Sequence, residues 1–399
     1  MSKTDETKAL WESAMMPVYA PETTITSGKG VIVRNSSGQS LYDFTSGIGV
    51  QNVGHCHPKV TEAIREQAAK LTHCSNLFAN EPAGKLAAKL VELSGLGGKA
   101  FFCNSGAEAN EAAIKLARKY GAATGGRYRI VTMRQSFHGR TLATLAATGQ
   151  SWCQEGYDPL PAGFAYADFN DLESVKAAVD DDTVAIMLEC VQGEGGVTPA
   201  TEEFIKGVRT LCDEKDMLMI CDEVQTGMGR TGTWFSWQGY GVEPDLFTLA
   251  KALGGGLPIG ALVSNAKCAD VFTPGSHAST FGGNPVAAAA ALAVIDVIQS
   301  EGVLENVAKT SALAFEAFQA FVDKYPKLLE VRGKGLLIGI AVDGDPKPVV
   351  EAFRDQSVLV LTAKGNVVRI MPPLTIKEND LVDAIEMMSD ALDCLYGEE

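Results

Sequence analysis

The protein has 399 residues, and at roughly 150 residues per domain this length predicts two or three domains with a large hydrophobic core. Its content of 46% hydrophobic and 21% charged residues excludes a disordered or fibrous chain. The net charge of −15 argues against a broad basic surface, so we expect no nucleic-acid partner and no binding to anionic membranes.

Short apolar runs, rich in β-branched and aromatic residues, alternate with longer stretches of helical periodicity through residues 50–285. Strands that are apolar on both faces and alternate with helices predict a parallel sheet covered on both sides, and hence one large α/β domain. The predicted helices are Glu108–Tyr120, Leu172–Val179 and Thr201–Lys215. The predicted strands are Ala100–Cys103, Arg129–Met133, Val184–Leu188, Met217–Cys221, Leu246–Leu249 and Gly260–Val263.

Residues 286–399 predict a smaller α+β domain, which begins with an alanine-rich helix. Residues 1–49 carry two strand-like pieces and are expected to join this domain. The predicted elements are the strands Gly30–Arg34, Ser40–Phe44, Leu337–Val342, Val358–Leu361 and Val367–Ile370, and the helices Ser311–Tyr325 and Glu378–Leu395.

The nine cysteines form no C-x-x-C pair, and their odd number fits a disulfide framework poorly, so we expect a reducing, cytoplasmic location. The first fifteen residues contain no apolar segment of the kind found in secretory signals. The longest apolar stretch, Val286–Ile298, is interrupted by Asp296 and is too short to cross a bilayer, so no membrane span is predicted.

Three of the apolar runs end in ionisable residues, namely Glu189, Asp222 with Glu223, and Lys251. Any one of them could be the solvated start of a loop. Because the carboxyl ends of parallel strands share one edge of the sheet, the three together predict a functional site there.

A fourth run, which ends at Cys103, leads into a helix start that suits a phosphate. Ser105 and Glu108 have capping-box spacing, and Gly106 allows close approach of the backbone. Free N–H groups and the helix dipole favour an anion there, although a capping box alone is common. The chain has no Walker P-loop and no G-x-G-x-x-G between a strand and a helix, which disfavours a dinucleotide oxidoreductase.

A lysine, an aspartate and a phosphate seat at one sheet edge point to pyridoxal phosphate. That cofactor needs an amine for a Schiff base, here Lys251, and an acid opposite its pyridine nitrogen, here Asp222. Burial and a cationic neighbour would lower the pKa of the lysine amine. The alternative is a structural Asp222–Lys251 ion pair in the core.

Seven stretches, read in order, resemble the class III pyridoxal-phosphate aminotransferases, and within that class the acetylornithine type. The resemblance runs from about Pro17 to the C-terminus and implies an α/β fold of type I. In that fold the large domain holds a mainly parallel seven-stranded sheet, and two subunits form a homodimer with shared active sites. The stretches are NSGAEANEAAIKLAR, SFHGRT, ECVQGEGG, CDEVQTGMGRTG, LAKALGGGLPIGA, STFGGNP and VRGKGLLIG.

The resemblance assigns cofactor roles to matching positions. Lys251 matches the Schiff-base lysine, which also carries protons, and Asp222 matches the acid at the ring nitrogen. Gln225 matches the residue that bonds the ring hydroxyl, while Val224 and Phe137 match those that pack on the two ring faces.

The phosphate would be bound by two parts of the dimer. Ser105, Gly106 and Ala107 match the family's phosphate loop, and Thr280 matches a phosphate ligand donated by the second subunit. His138, beside Phe137, fits the acetylornithine pattern better than the ornithine pattern and belongs to the predicted cofactor-binding set.

The resemblance also implies how substrates bind. Arg140, together with Tyr19, would hold the α-carboxylate of the amino donor, because arginine binds carboxylates bidentately. Glu194 would pair with Arg369 while the donor is bound and release it for 2-oxoglutarate. Glu189 is expected to contact the residues that bind the ligands and not the ligands themselves.

The predicted reaction moves the δ-amino group of an N-acylornithine, foremost N-acetylornithine, to 2-oxoglutarate in arginine biosynthesis. N-succinylornithine, ornithine or 4-aminobutyrate as donor, and a non-catalytic pyridoxal-phosphate binder, remain alternatives. GIGV at 47–50 departs from the family's GIAV, so Gly49 leaves the acyl preference open. No metal site is predicted, because His55 and His57 have no spaced partner cluster.

Overall fold

The structure is a computed structural model that describes residues 3–397, with side chains from residue 6 onward. Residues 1–2 and 398–399, the outer ends of the predicted small domain, lie outside the described residues. The helices of six residues or more are Lys3–Ala14, Pro58–Lys70, Glu81–Ser94, Gly106–Ala123, Leu142–Ala147, Leu172–Ala178, Glu202–Glu214, Pro285–Ser300, Val303–Lys324, Lys347–Asp355 and Glu378–Tyr396.

A central seven-stranded sheet organises the fold, and it confirms the predicted mainly parallel α/β architecture. Six strands are parallel, whereas Gly260–Asn265 runs antiparallel to both of its neighbours, which the sequence did not predict. The strand Phe164–Ala167, at one edge, was also missed. The order across the sheet is Gly97–Cys103, Gly260–Asn265, Leu246–Leu249, Leu218–Asp222, Thr183–Leu188, Arg129–Met133, Phe164–Ala167.

The central strands are apolar on both faces because helices cover both sides of the sheet. Every residue of Thr183–Leu188 and of Leu218–Asp222 is buried. On one side, the helix Gly106–Ala123 packs small buried residues against the sheet, including Ala113 and Ala117. This packing fixes the strand ends, and therefore the side chains that follow them, relative to one another.

Two smaller four-stranded sheets are built from the two ends of the chain. The first pairs N-terminal strands with a C-terminal one, in the order Ile25–Lys29, Ile32–Asn35, Ser40–Asp43, Val358–Leu359. The second has the order Leu328–Lys334, Leu337–Val342, Val367–Ile370, Leu361–Ala363.

The predicted strand Val358–Leu361 is wrong as one element, because the chain leaves one sheet after Leu359 and enters the other at Leu361. Strand pairing thus joins the N-terminal segment to the C-terminal part. The predicted domain boundaries at 49/50 and 285/286 remain a prediction.

Within the described residues, no single helix has the length and apolar character needed to cross a bilayer. One pair, Pro285–Ser300 with Val303–Lys324, meets those criteria only when its two members are taken together across a bend of 67°.

Candidate active site

Five strand ends surround one cavity of about 440 Å³ at the carboxyl edge of the central sheet. This is the place where parallel sheets bind ligands. Eleven of the predicted site residues line it, namely Ser105, Gly106, Ala107, Phe137, His138, Arg140, Glu194, Asp222, Val224, Gln225 and Lys251.

The helix that starts at Gly106 presents its N-terminus to this cavity. Ser105 caps it, since its hydroxyl accepts the backbone N–H of Glu108 at 3.2 Å. The carboxylate of Glu108 reaches back to accept the N–H of Asn104 at 2.7 Å. The first N–H groups of a helix have no partner within it, so those of Gly106 and Ala107 are available to an anion.

Gly106 is required by packing rather than by an unusual backbone angle. A Cβ added at this position would lie 2.7 Å from the Cγ1 of Val224, closer than real Cβ contacts allow. The helix start and Val224 therefore approach each other closely on the same side of the cavity.

Asp222 ends the strand Leu218–Asp222 and is only 3% exposed. Its Oδ2 is bonded to His138 Nδ1 at 2.8 Å and accepts the amide of Asn110 at 2.7 Å. Its Oδ1 accepts the N–H of Val224 at 3.0 Å. These partners fix the orientation of the carboxylate in a site where an unpaired charge would be unstable.

Asn110 and Thr248 are site residues that the sequence analysis missed. Asn110 also donates to the carbonyl of His138 at 2.7 Å, and its own oxygen accepts the hydroxyl of Thr248 at 2.7 Å. A usable signal existed, because Asn110 is a polar residue on the buried face of an alanine-rich helix. Buried polar residues of this kind are hydrogen-bonded, and often to a functional group.

Lys251 follows the strand Leu246–Leu249 and lies in the left-handed backbone region, with φ of +45°. For a residue with a side chain this conformation is unfavourable by about 1 kcal/mol or more, and it is common at functional sites. Loss of hydration lowers the pKa of its ammonium; Glu194 opposes this effect and Arg369 adds to it.

Glu194 and Arg369 form an ion pair beside the cavity, from Nη1 to Oε1. The Arg369 side chain is 4% exposed and that of Glu194 is 31% exposed. Burial alone would raise the pKa of the Glu194 carboxyl, but the charge and hydrogen bond of Arg369, together with smaller effects of Lys251 and Gln225, outweigh burial and lower the pKa. Arg369 Nη1 also donates weakly to Gln225 Oε1 at 3.4 Å.

Glu189 lies against the same cavity and accepts the backbone N–H of Phe137 at 3.1 Å. Burial raises the pKa of its carboxyl well above the usual range, and the nearby charge of Asp222 raises it further. Glu189 therefore holds the backbone that carries Phe137.

An outer chamber of about 670 Å³ adjoins the cavity and is lined by Tyr19, Ile48, Arg140, Trp152 and Lys364, among others. The Arg140 guanidinium lies 5.5 Å from the ring centre of Phe137 and 5.1 Å from that of Trp152. Within the described residues no acidic side chain pairs with it, so it is available to a substrate carboxylate. The sequence analysis missed Trp152 and Lys364.

The wall of this chamber includes a left-handed turn over Ser46–Gly49, where all four residues have positive φ. A Cβ on Gly49 would meet only ordinary contacts, 3.6 Å from Met371 Sδ and 3.9 Å from Gln225 Cγ. Its φ of +69° therefore favours glycine for the sake of the backbone, and the space beside it admits a small side chain.

Thr280 is exposed and does not line the cavity of its own chain.

His55 and His57 contact separate carboxylates: His55 lies 2.7 Å from Asp43, and His57 lies 3.4 Å from Glu301. His57 occupies the N-cap position of the helix Pro58–Lys70, so the two histidines lie in the turn that precedes this helix.

The chemistry of these residues fits pyridoxal phosphate. The N-terminus of the helix at Gly106 would hold its phosphate, Asp222 its ring nitrogen, and Lys251 its aldehyde carbon. One observation beyond the sequence supports the fit: His138 Nε2 is buried without a hydrogen-bond partner in the described part of the chain, in the wall of this cavity. A buried polar atom of this kind calls for a polar ligand nearby.

Comparison with known proteins agrees with this geometry. The family model for aminotransferase class-III matches residues 15–392. The chain is 48% identical over 371 residues to the acetylornithine aminotransferase of Caldanaerobacter subterraneus, covering 92% of this chain and 94% of that one. It is 43% identical over 392 residues to the acetylornithine/succinyldiaminopimelate aminotransferase of Photorhabdus laumondii, covering 96% and 97%.

Solved structures of aminotransferases also match the chain over almost its whole length. The N-acetylornithine aminotransferase of Stenotrophomonas maltophilia matches with a TM-score of 0.84 at 37% identity, covering 97% of this chain and 98% of that one. The ornithine aminotransferase of Toxoplasma gondii, described with partial occupancy of pyridoxal phosphate at its active site, matches with a TM-score of 0.94 at 32% identity, covering 98% and 94%. The chain therefore belongs to the class-III aminotransferase family.

Proposed function

We propose that this aminotransferase moves the δ-amino group of N-acetylornithine to 2-oxoglutarate, giving N-acetylglutamate 5-semialdehyde and glutamate, in arginine biosynthesis. One observation carries the proposal: Lys251, Asp222 and the helix start at Gly106 meet in one cavity, which Arg140 and Glu194 also line, and Arg369 is paired with Glu194. The names of the relatives above support the same donor.

Pyridoxal phosphate is the cofactor, and when bound it supplies an aldehyde that reacts with amines and a ring that accepts electrons from a substrate carbon. Lys251 Nζ then serves as the base that takes a proton from the donor carbon bearing the amine, and as the acid that returns one to the acceptor carbon. Its lowered pKa suits both duties, because a neutral amine is needed first.

Asp222 is a buried acid in the lining of the cavity. His138 and Asn110 hold its Oδ2, and Val224 holds its Oδ1, so the carboxylate cannot turn away from the cofactor ring. This preorganisation is the contribution of the chain to the electronics of the reaction.

Arg140 would bind the α-carboxylate of the donor. Its guanidinium lies over the rings of Phe137 and Trp152, and Tyr19 lies in the same chamber. A donor anchored there by its α-carboxylate presents its δ-amine, and not its acylated α-nitrogen, toward Lys251.

The Glu194–Arg369 pair would distinguish the two substrates. While the pair is closed, the Arg369 cation is neutralised and the site suits a donor with a single carboxylate in the chamber. When 2-oxoglutarate arrives, its α-carboxylate would replace Glu194 on Arg369. The partial exposure of Glu194 leaves room for its carboxylate to move.

We also propose that the active enzyme is a homodimer to which Thr280 of each chain contributes across the interface. Thr280 is exposed in its own chain, and its neighbour Phe281 is 59% exposed. Leu77 and Phe78, at 87% and 68%, are further large apolar side chains left uncovered. Exposed apolar groups of this size are typical of an interface. A cytoplasmic location stays a prediction from the cysteine content.

A second candidate donor is N-succinylornithine. It is favoured by Lys364, a residue that lines the outer chamber together with Arg140 and whose ammonium has no acidic partner among the described residues. A succinyl group carries a second carboxylate that such a cation would bind. Ornithine and 4-aminobutyrate have no comparable support from the chamber.

The test is a comparison of kcat/KM for N-acetylornithine, N-succinylornithine, ornithine and 4-aminobutyrate, each with 2-oxoglutarate as acceptor. We expect an N-acylornithine, foremost N-acetylornithine, to give the highest value. A clear preference for 4-aminobutyrate would overturn the proposal, and absence of any amino transfer would overturn catalysis altogether.

A further inference from the structure

Arg230 is a fully buried cation, at 0% exposure, that no step proposed above uses. Its Nη1 donates to the carbonyl oxygens of Leu336, at 3.0 Å, and Pro372, and its Nη2 donates to the side-chain oxygen of Asn52. All these acceptors are neutral, and no carboxylate in the described part of the chain pairs with this guanidinium. Burial lowers its pKa to about 9.

A buried charge without a counter-ion is unfavourable, so its surroundings must compensate by hydrogen bonding. The acceptors belong to three segments that are far apart in the chain, around residues 52, 336 and 372. Only the planar fork of arginine can reach several carbonyls in fixed directions, whereas a lysine ammonium is a single point charge. Arg230 therefore links three chain segments by hydrogen bonds and does not form an ion pair. We call Arg230 and its acceptors Asn52, Leu336 and Pro372 the clamp.

Backbone groups near Arg230 form further hydrogen bonds to the same three segments. The N–H of Leu336 donates to the carbonyl of Arg230 at 3.0 Å. The amide of Asn52 donates to the carbonyl of Met228 at 2.9 Å, and its backbone oxygen accepts the N–H of Leu374 at 2.6 Å. Residues 228–230, 336 and 372–374 are thus fixed to one another through Asn52 and Arg230.

A glycine makes this closeness possible. Gly335 has φ of +60°, and a Cβ there would lie 2.5 Å from the carbonyl oxygen of Arg230 and 2.7 Å from the Cα of Thr231. Two stretches noted in the sequence, CDEVQTGMGRTG and VRGKGLLIG, therefore meet at this point. Their contact accounts for an arginine in the first and a glycine in the second.

The clamp lies close in sequence to both sides of the proposed acceptor site. Pro372 follows Arg369 by three residues, just beyond the strand Val367–Ile370. Arg230 follows Gln225 by five residues, and Gln225 is a hydrogen-bond acceptor of Arg369. A shift of the strand against the loop would move Arg369 relative to both Gln225 and Glu194.

We propose that Arg230 is a positioning residue for the acceptor: it holds the backbone that carries Arg369 against the loop that carries Gln225, and so sets how tightly the α-carboxylate of 2-oxoglutarate binds. This inference rests on the proposed function, in which Arg369 receives 2-oxoglutarate. Binding of the amino donor, which uses Arg140, should depend very little on Arg230.

The experiment compares the wild-type holoenzyme with Arg230→Lys, which keeps the charge but loses the fork. We expect the KM for 2-oxoglutarate to rise about tenfold, since small misplacements of a binding group have effects of this size or larger. The rate of the donor half-reaction with N-acetylornithine should stay within about twofold. Binding of glutarate, a dicarboxylate that cannot react, should weaken in parallel when measured by calorimetry.

Arg209→Lys is the matched control. Arg209 is another largely covered arginine, bonded to Asp245 at 2.9 Å and Asp213 at 2.8 Å, but Asp245 precedes the strand Leu246–Leu249, at the end opposite Lys251. This control should change neither substrate affinity nor the ratio between the half-reactions.

Should Arg230→Lys fail to fold, Asn52→Ala removes one acceptor and leaves the guanidinium in place, and it should shift the 2-oxoglutarate KM in the same direction by a smaller factor. A lower melting temperature with unchanged glutarate affinity, or an equal change in both half-reactions, would overturn the positioning role. If the wild-type enzyme itself failed to use 2-oxoglutarate, the proposed function would fail instead.

Discussion

The switch between Glu194 and Arg369 gives the sharpest prediction about substrate choice. Glu194→Gln removes the negative charge that neutralises Arg369 in the donor-bound state, while keeping the shape of the side chain. Arg369 would then stay available to the α-carboxylate of an α-amino donor such as glutamate. We expect the variant to accept glutamate better, relative to N-acetylornithine, than the wild type does.

The size of the effect follows from the contact. In Glu194→Gln the Arg369 cation still donates a hydrogen bond, but to a neutral oxygen. A bond to a charged group contributes about 1.5–3 kcal/mol, and loss of the charge on the acceptor removes up to about half of it, so the substitution weakens the closed state by roughly 1–1.5 kcal/mol. Glu194 is 31% exposed, and solvent screening favours the lower end of that range. Because 1.4 kcal/mol is a factor of ten, the ratio of kcat/KM for glutamate to that for N-acetylornithine should rise about fivefold to tenfold.

The assay mixes cofactor-loaded enzyme with one donor at a time, without acceptor, and follows the change in cofactor absorbance. Glu330→Gln is the matched control, because Glu330 pairs with Arg332 at 3.2 Å outside the cavity. This control should leave the ratio unchanged. An unaltered ratio in Glu194→Gln would refute the switch.

Four further predictions concern other groups of the site. Arg140→Ala should raise the KM of both substrates by about a hundredfold, since a bidentate charged contact is lost; an effect on one half-reaction alone would contradict its role. Lys364→Gln should lower kcat/KM for N-succinylornithine relative to N-acetylornithine by about threefold to fivefold, and an unchanged ratio would exclude Lys364 from acyl recognition. Cofactor capture by the cofactor-free protein should accelerate with pH through a midpoint below 10.5, because burial lowers the pKa of Lys251 and only its neutral amine reacts; a midpoint at 10.5 or above would contradict this. Mixing Thr280→Ala with Lys251→Ala chains should restore activity through hybrid dimers if Thr280 acts across the interface, and no recovery would assign it elsewhere.

Strands buried on both faces were the part of the fold most open to prediction. Arg129–Met133 and Leu246–Leu249 have the bounds read from the sequence, since continuous apolar runs between helices have few other interpretations. Phe164–Ala167 was missed because its residues are mostly half-buried at the sheet edge and the run is short. The helix Glu81–Ser94 was also missed, although Asn80 caps it and Pro82 opens it.

The reversed direction of Gly260–Asn265 could not be read from composition, because strand direction depends on where the connecting chain crosses the sheet. The same holds for Val358–Leu361, where one apolar run serves two sheets. The pattern of apolar residues shows which strands are buried, but the partner and direction of each strand depend on how the chain connects them.

At the site, the residues that follow strand ends were found because sheet geometry forces them together. Lys251 and Asp222 are of this kind. Residues that act through another side chain were not found, since their role depends on tertiary contact; Asn110, which bonds to Asp222, and Arg230, whose partners lie over a hundred positions away in sequence, are the examples. Their buried polar character was the available signal.

The most direct test of the central claim is to reduce the cofactor-loaded enzyme with borohydride and map its peptides by mass spectrometry. The account predicts a cofactor-derived mass on the peptide that contains Lys251, and its loss in Lys251→Ala. Attachment at another lysine of the chamber, such as Lys364, or no attachment at all, would contradict it.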